Sequence, residues 1–254
     1  MTEPERRRPA PILLGIVGHT ELRPEDHAAL STAIRSILDD VRTRFPSTPL
    51  AVVSSLAEGA DQLCADVALA AGVAVIAPLP FPAPLYRTRF KSAAARHHLD
   101  TLVRHPEVTA FCPVLGGEAG PDFAAELADD TRRRRRYAET AIFVARNAHA
   151  LIALWEGREA AAPSLTAQLI DFKTLGRPVD GPAQPGPSPE VGPVFSIFAP
   201  RVGTPAADPA PGTMKILAPA SLVRAAPDLL FRQVFADPRP WATLAPLLPG
   251  ATER

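Results

Sequence analysis

Short runs of consecutive apolar residues alternate along this chain with longer stretches in which apolar residues recur every three or four positions. The runs are Ile12 to Val17, Leu50 to Val53, Val73 to Leu79, Val108 to Leu115, Ala150 to Trp155 and Val194 to Phe198. Unbroken apolarity over so few residues marks strands covered on both faces, as in a parallel sheet. The periodic stretches predict helices. After Pro24, with Glu25 and Asp26 at the positive end, Leu30, Ile34, Ile37, Leu38 and Val41 share one face. A second helix runs from the Ser54–Asp61 turn to Gly72, a third from about Tyr86 to His105, and a long fourth from Asp122 to Arg146. A fifth runs from Thr166 to Leu175 and stops at Gly176. Pro113 argues that the fourth strand lies at an edge or ends early, and Gly116 to Gly120 reads as a flexible loop.

Alternating strands and helices predict an α/β fold: Rossmann-like, doubly wound, with a mostly parallel sheet and helices on both faces. A chain of 254 residues fits one such unit, and 46% apolar residues can build its core without metal or disulfide. The expected divisions are a disordered leader over 1–10, a ligand-binding domain over 11–200, and a Pro-rich extension over 201–254. Pro and Gly crowd Gly181 to Pro193 as a linker. The extension carries short amphipathic pieces around Leu222–Phe235 and Trp241–Leu248. Their apolar positions, Leu229, Leu230, Phe231, Val234, Phe235 and Trp241, predict docking rather than free solvation.

Charge narrows the function classes. The 27 basic and 27 acidic residues balance, which gives no case for nucleic acid or an anionic membrane as partner. Five consecutive arginines, Arg132 to Arg136, spread around a helix and cannot form one patch; most belong to a solvated surface. The most apolar stretch, Val67 to Leu85, is broken by Gly72 and four prolines, so no membrane span is expected. Arg6 to Arg8 ahead of Pro11 to Val17 lacks the length and cleavage site of a signal peptide. Two cysteines, Cys64 and Cys112, offer neither a disulfide framework nor a cysteine metal site. The expectation is a cytoplasmic protein with no metal and no cofactor.

Ligands of open α/β sheets bind outside the carboxyl ends of the strands, where the strand order reverses. Four loops leave those ends. In the first, Gly18 suits close approach of backbone to a ligand, and His19 is either a phosphate donor or a loop-capping residue. In the second, Ser54 and Ser55 supply hydroxyls, and Glu58, Gly59 and Asp61 open a helix. Glu58 or Asp61 can accept ribose hydroxyls; Ser55 and Glu58 also stand at capping-box spacing. The third loop runs from Pro80 to Tyr86. The fourth holds Trp155, Glu156 and Gly157 and leads to Ser164 and Thr166; Trp155 reads as a core residue or as an aromatic wall. Arg133 with Tyr137, or Arg132 with Arg136, is a candidate pair aimed inward, and Tyr86 and Tyr137 suit stacking on a base.

Ile16-Val17-Gly18-His19, then Ser54-Ser55-Leu56-Ala57-Glu58-Gly59-Ala60-Asp61, then Leu79-Pro80-Phe81 with Tyr86, and Leu151 to Gly157 resemble the SLOG superfamily. That superfamily groups nucleotide-ligand sensors with the LOG phosphoribohydrolases and DNA-processing Rossmann proteins. The resemblance spans roughly residues 11–200. It implies a sensing module for a nucleotide or nucleotide-derived second messenger in a bacterial defence or signalling system, acting through a second copy or an effector partner. One departure is plain: the family's Gly-Gly-Thr turn is Pro163-Ser164-Leu165-Thr166 here, so only Thr166 is kept, and the LOG signature Pro-Gly-Gly-x-Gly-Thr is absent. Two further readings stand beside the sensor. One is a hydrolase of nucleotide N-glycosidic bonds with Glu58 as its carboxylate. The other is a scaffold whose pocket has decayed.

Overall fold

The computed structural model describes residues 10–113, 121–157, 164–180, 191–204, 209–219 and 234–248. Seven strands form one sheet: β1 (Ile12–Gly18), β2 (Leu50–Val53), β3 (Ala74–Pro78), β4 (Val108–Phe111), β5 (Ala150–Trp155), β6 (Val194–Phe198) and β7 (Met214–Leu217). Their order is β4-β3-β2-β1-β5-β6-β7, and every pairing is parallel except β6 with β7. The chain winds outward from β1 to β4, then returns to lay β5 on the other side of β1. The reversal between β1 and β5 opens a crevice at the carboxyl ends of the strands.

Helices cover both faces: α1 (His27–Arg44), α2 (Ala60–Ala70), α3 (Ala83–Arg87), α4 (Ala93–Arg104), α5 (Phe123–Ala128), α6 (Asp130–Arg146), α7 (Leu165–Leu175) and α8 (Arg239–Leu244). Successive strand residues point to opposite faces. Ile12, Leu14 and Ile16 of β1 therefore pack in one cluster with α1, α2 and α4, while Leu13 and Val17 join clusters with α6, α7 and α8. The fold is α/β and Rossmann-like, as the alternation of runs and periodic stretches predicts.

Some boundaries and one strand differ from the sequence reading. The helix expected from Tyr86 to His105 is two, α3 and α4. The second starts anew at Ser92, whose hydroxyl accepts the Ala95 amide at 2.9 Å. The helix expected from Asp122 to Arg146 breaks at Asp129, which is extended (φ −89°, ψ 122°) and caps α6 by accepting from the Arg132 amide at 2.8 Å. Asp129 both closes α5 and opens α6, whereas α3 ends at Thr88 and Ser92 caps only the new start. The fourth strand stops at Phe111 on the sheet edge, two residues ahead of Pro113. β7 was not anticipated; it is short and largely exposed, and its partner β6 defines it as a strand.

Residues after 200 also contribute to the core. Phe235 meets Phe45 edge-to-face at 5.4 Å, and Leu244 of α8, fully buried, packs with Leu13, Ala51, Val53 and Ile76. The loop at Gly116 to Gly120, the linker from Gly181 to Glu190 and the leader up to Pro9 lie outside the described residues. So do Leu222, Leu229, Leu230 and Phe231.

Candidate functional site

A cavity of about 400 Å³ opens at the carboxyl end of β1, the strand at which the order reverses. That volume suits a small molecule, whose sites span roughly 300–1,000 Å³. Ile16, Val17 and Gly18 form its floor at the end of β1. Ser55, Glu58 and Asp61 enter from the β2–α2 turn, and Tyr86, Arg89 and Phe90 from α3 and the turn after it. Tyr137, Ala141 and Val144 come from one stripe of α6, and Leu165, Thr166 and Leu169 from α7. Seven of the expected site residues therefore meet here: Gly18, Ser55, Glu58, Asp61, Tyr86, Tyr137 and Thr166.

The two glycines of the first and second loops serve packing. A Cβ on Gly18 would lie 2.5 Å from the Ala60 Cβ and 2.6 Å from the Leu154 carbonyl oxygen. Gly59 has φ +81°, and a Cβ there would sit 2.5 Å from the His19 carbonyl oxygen. Together they let α2 abut the β1 loop, and the Ala60 amide donates to the His19 carbonyl at 3.0 Å. His19 itself does not line the cavity. Its ring is buried behind the wall, and Nε2 accepts from the Glu156 amide at 3.1 Å. Burial, with Arg201 nearby, lowers its pKa to about 4. It is thus a neutral acceptor that pins the first loop to the fourth.

The β2–α2 turn is built around Asp61. Its Oδ1 accepts from Ser54 Oγ at 3.0 Å, from the Ser55 amide at 2.9 Å and from Ser55 Oγ at 3.0 Å. Ser54 is fully buried and supports Asp61 from behind the cavity wall. Leu56 takes φ +55°, a strained choice for a branched side chain that costs on the order of 1–3 kcal/mol; complete burial of that side chain offsets it. Burial pushes the Asp61 carboxyl up to about 6, against the lowering effect of its serine donors. Burial likewise raises the Tyr86 hydroxyl well above its ordinary value.

Aromatic rings form one side. Tyr137 lies 6.3 Å from Tyr86 and 5.8 Å from Phe81, and Tyr86 meets Phe90 at 5.1 Å. The arginine run behaves unevenly. Arg136 is buried: Nε donates to the Pro80 carbonyl at 2.8 Å, Nη2 donates to the Pro113 carbonyl at 2.6 Å, and its guanidinium lies 5.1 Å from the Phe123 ring. It bolts α6, and with it Tyr137, to the ends of β3 and β4. Pro80 thus contributes its carbonyl to Arg136 and does not line the cavity. Nor does Arg133, which donates to the Leu127 carbonyl at 2.9 Å and pairs with Asp130.

The fourth loop turns away. Trp155 Nε1 donates to Ser196 Oγ at 2.8 Å, Glu156 faces Arg201 at 3.6 Å, and Gly157 (φ +71°) has open space around it. Ser164 caps α7 by accepting from the Ala167 amide at 3.2 Å. Trp155, Glu156, Gly157 and Ser164 are therefore supports for the rim or lie outside it.

Sequence reasoning passed over Arg89 and Thr20, which line the cavity. Arg89 follows Tyr86 by one turn, and that spacing was the available signal. Among the described residues Arg89 is the one cation of the lining, against two carboxyls, Glu58 and Asp61. No cluster of three or more His, Cys, Asp or Glu side chains suited to a metal occurs among the described residues, and no described helix is long and apolar enough to cross a membrane.

No family model matches this chain, and no curated protein matches it. Among solved structures it is similar to DNA processing protein A (DprA) from Streptococcus pneumoniae, at 18% identity and a TM-score of 0.31. That match covers 56% of this chain and 41% of the other.

Proposed function

We propose that this protein is a sensing module for a nucleotide or nucleotide-derived second messenger, bound in the cavity at the carboxyl end of β1. The observation that carries the reading is convergence: turns from four distant segments, joined by α6, supply carboxyls, hydroxyls, aromatic rings and one guanidinium to a single small-molecule-sized hollow. Rings of Tyr86, Phe90 and Tyr137 offer a base its faces, Glu58 and Asp61 offer acceptors to sugar hydroxyls, and Arg89 at the exposed rim offers a partner to phosphate. Two carboxyls against one guanidinium favour placing the sugar and base inward and the anion outward. As a sensor, the protein passes ligand occupancy to a second copy or to an effector, in a bacterial defence or signalling setting, by binding its ligand more tightly in one of two states. A thermal-shift panel of mono-, di- and cyclic nucleotides tests it. A ligand selective for the folded state raises the unfolding temperature, and no shift with any member at millimolar concentration would sink the reading.

A second reading draws on the same two carboxyls. Glu58 and Asp61 share one cavity, and burial holds Asp61 at a higher pKa than a free carboxyl, the arrangement that hydrolysis of an N-glycosidic bond uses. Release of free base from nucleoside monophosphates, abolished in Glu58→Gln, would establish it over the sensor.

A further inference from the structure

We propose that Asp61 recognises the ligand as a hydrogen-bond donor, giving the proton of its neutral carboxyl to an acceptor nitrogen on the edge of a planar heteroaromatic ring, so that binding is coupled to proton uptake. This rests on the nucleotide-type reading above and names the part of the ligand that meets Asp61.

The geometry is one-sided. A carboxylate oxygen carries two lone pairs, and Asp61 Oδ1 already receives three donors from Ser54 and Ser55. A proton on Oδ1 would face the Ser55 amide, which can only donate, and would force a serine hydroxyl to give up its donation and turn to accept. The proton of the neutral acid therefore belongs on Oδ2. The hydrogen bonds made to the Asp61 carboxyl among the described residues all end on Oδ1, and Asp61 lines the cavity. No ion pair holds the group charged: no cation among the described residues lies within salt-bridge distance of it.

Burial is the largest influence on Asp61 and favours its neutral form; the Ser54 and Ser55 donors pull the other way and offset it only in part. Cys64 on α2 and Tyr86 on α3 are buried, and burial raises both well above their ordinary values, so each stays uncharged. Tyr137 on α6 is also raised by burial, and Glu58 on the same turn is a second carboxyl. Arg89 lies at the exposed rim. Burial sets the Asp61 carboxyl at about 6, which leaves the neutral acid accessible near neutral pH. A buried O–H facing a hollow walled by Tyr86, Phe90 and Tyr137 needs an acceptor on a flat ring, and a ring nitrogen of adenine or cytosine supplies one.

Calorimetric titration of the full chain with adenosine and cytidine 5′-monophosphates, from about pH 5.5 to about pH 8, tests this. The wild type should bind one of them with net proton uptake, and its affinity should fall roughly tenfold per pH unit above the Asp61 titration. Replacing the facing ring nitrogen by carbon, in the deaza analogues of the bound base, should remove both the affinity and its pH slope. Asp61→Asn keeps an oxygen for the three donors and offers an amide N–H where the acid has its O–H. It should bind as tightly as the wild type at low pH and show no slope. Binding that is flat with pH in the wild type, or a slope that persists in Asp61→Asn, overturns the donor role and leaves the nucleotide reading standing. Failure of both nucleotides to bind at any pH overturns both.

Discussion

At the amino ends of β1 and β5, His149 and Lys173 are buried with their hydrogen bonds made inside the chain. His149 Nδ1 accepts the Leu13 amide at 2.9 Å and Nε2 faces the Asp237 carbonyl at 2.7 Å, which fixes the neutral tautomer with its proton on Nε2. Lys173 donates to the Ala148 carbonyl at 2.6 Å. A Cβ on the neighbouring Gly192 would come within 2.4 Å of the His149 carbonyl oxygen and 2.9 Å of Lys173 Cε, so no room remains. At the opposite edge of the sheet, past the carboxyl end of β2, Asp61 is also buried, yet the hydrogen bonds to its carboxyl all end on one oxygen and the residue lines a cavity of about 400 Å³. Burying a polar group is costly unless it is hydrogen-bonded. The first end meets that condition within the chain and is structural. The second lines the cavity with a carboxyl whose other oxygen takes no part in those bonds.

The contrast breaks most visibly through Lys173. Lys173→Ala leaves the carbonyls at the end of α6 without their donor and opens a void, and should cost about 3–5 kcal/mol in urea unfolding. It should leave the ranking of ligands in the thermal-shift panel unchanged.

Asp61→Asn should act in the opposite direction. The folded carboxyl titrates at about 6 and the free one at 3.8, so the folded protein holds this proton more tightly. The stability this gives is complete below the lower value and is lost as pH rises through the upper one. Asp61→Asn escapes that loss. It should match the wild type near pH 4 and exceed it by up to about 3 kcal/mol above pH 7, in parallel urea titrations. A destabilised variant at high pH would place Asp61 with the structural group.

His19 sharpens the comparison from the other side, because its pKa is lowered to about 4. Its neutral ring contributes stability above pH 6.5 that is lost as pH falls toward 4, as the ring gains a proton and can no longer accept from the Glu156 amide. His19→Gln should flatten that acid limb in a pH series of melting temperatures. Arg89→Ala should have the smallest effect on stability, within about 0.5 kcal/mol, since the side chain is exposed. Its consequence should be confined to the affinity of phosphorylated over unphosphorylated nucleosides.

Much of this architecture is legible before folding is considered. Strands buried on both faces leave continuous apolar runs, and β1, β2, β5 and β6 lie close to where those runs are. The loops between run and helix mark the carboxyl ends, and the cavity formed there. The misses have a common cause. Arg136 stands in a charged run, but it shares a helical stripe with Thr140 and Val144, and that phase turns it inward while Arg132, Arg134 and Arg135 stay in water. β7 is exposed and short, so its own residues carry little burial signal; pairing with β6 makes it a strand. The Asp129 cap broke one helix that periodicity alone would continue, and the turn from Thr88 to the Ser92 cap interrupted another.

Which residues face the cavity was a separate question, and local sequence could not decide it. Ser54 and Ser55 are adjacent and identical, yet the first supports Asp61 from behind and the second lines the cavity. His19 and Thr20 divide in the same way, because the ring of His19 is claimed by Glu156, 137 residues along the chain. Sequence by itself determined the alternation of elements, the class of sheet and the loops that meet at its carboxyl edge, since burial on two faces leaves a mark at each position. Tertiary structure decided which polar atoms those loops satisfy among themselves and which they leave facing the hollow, since that depends on partners brought together only when the sheet closes around β1.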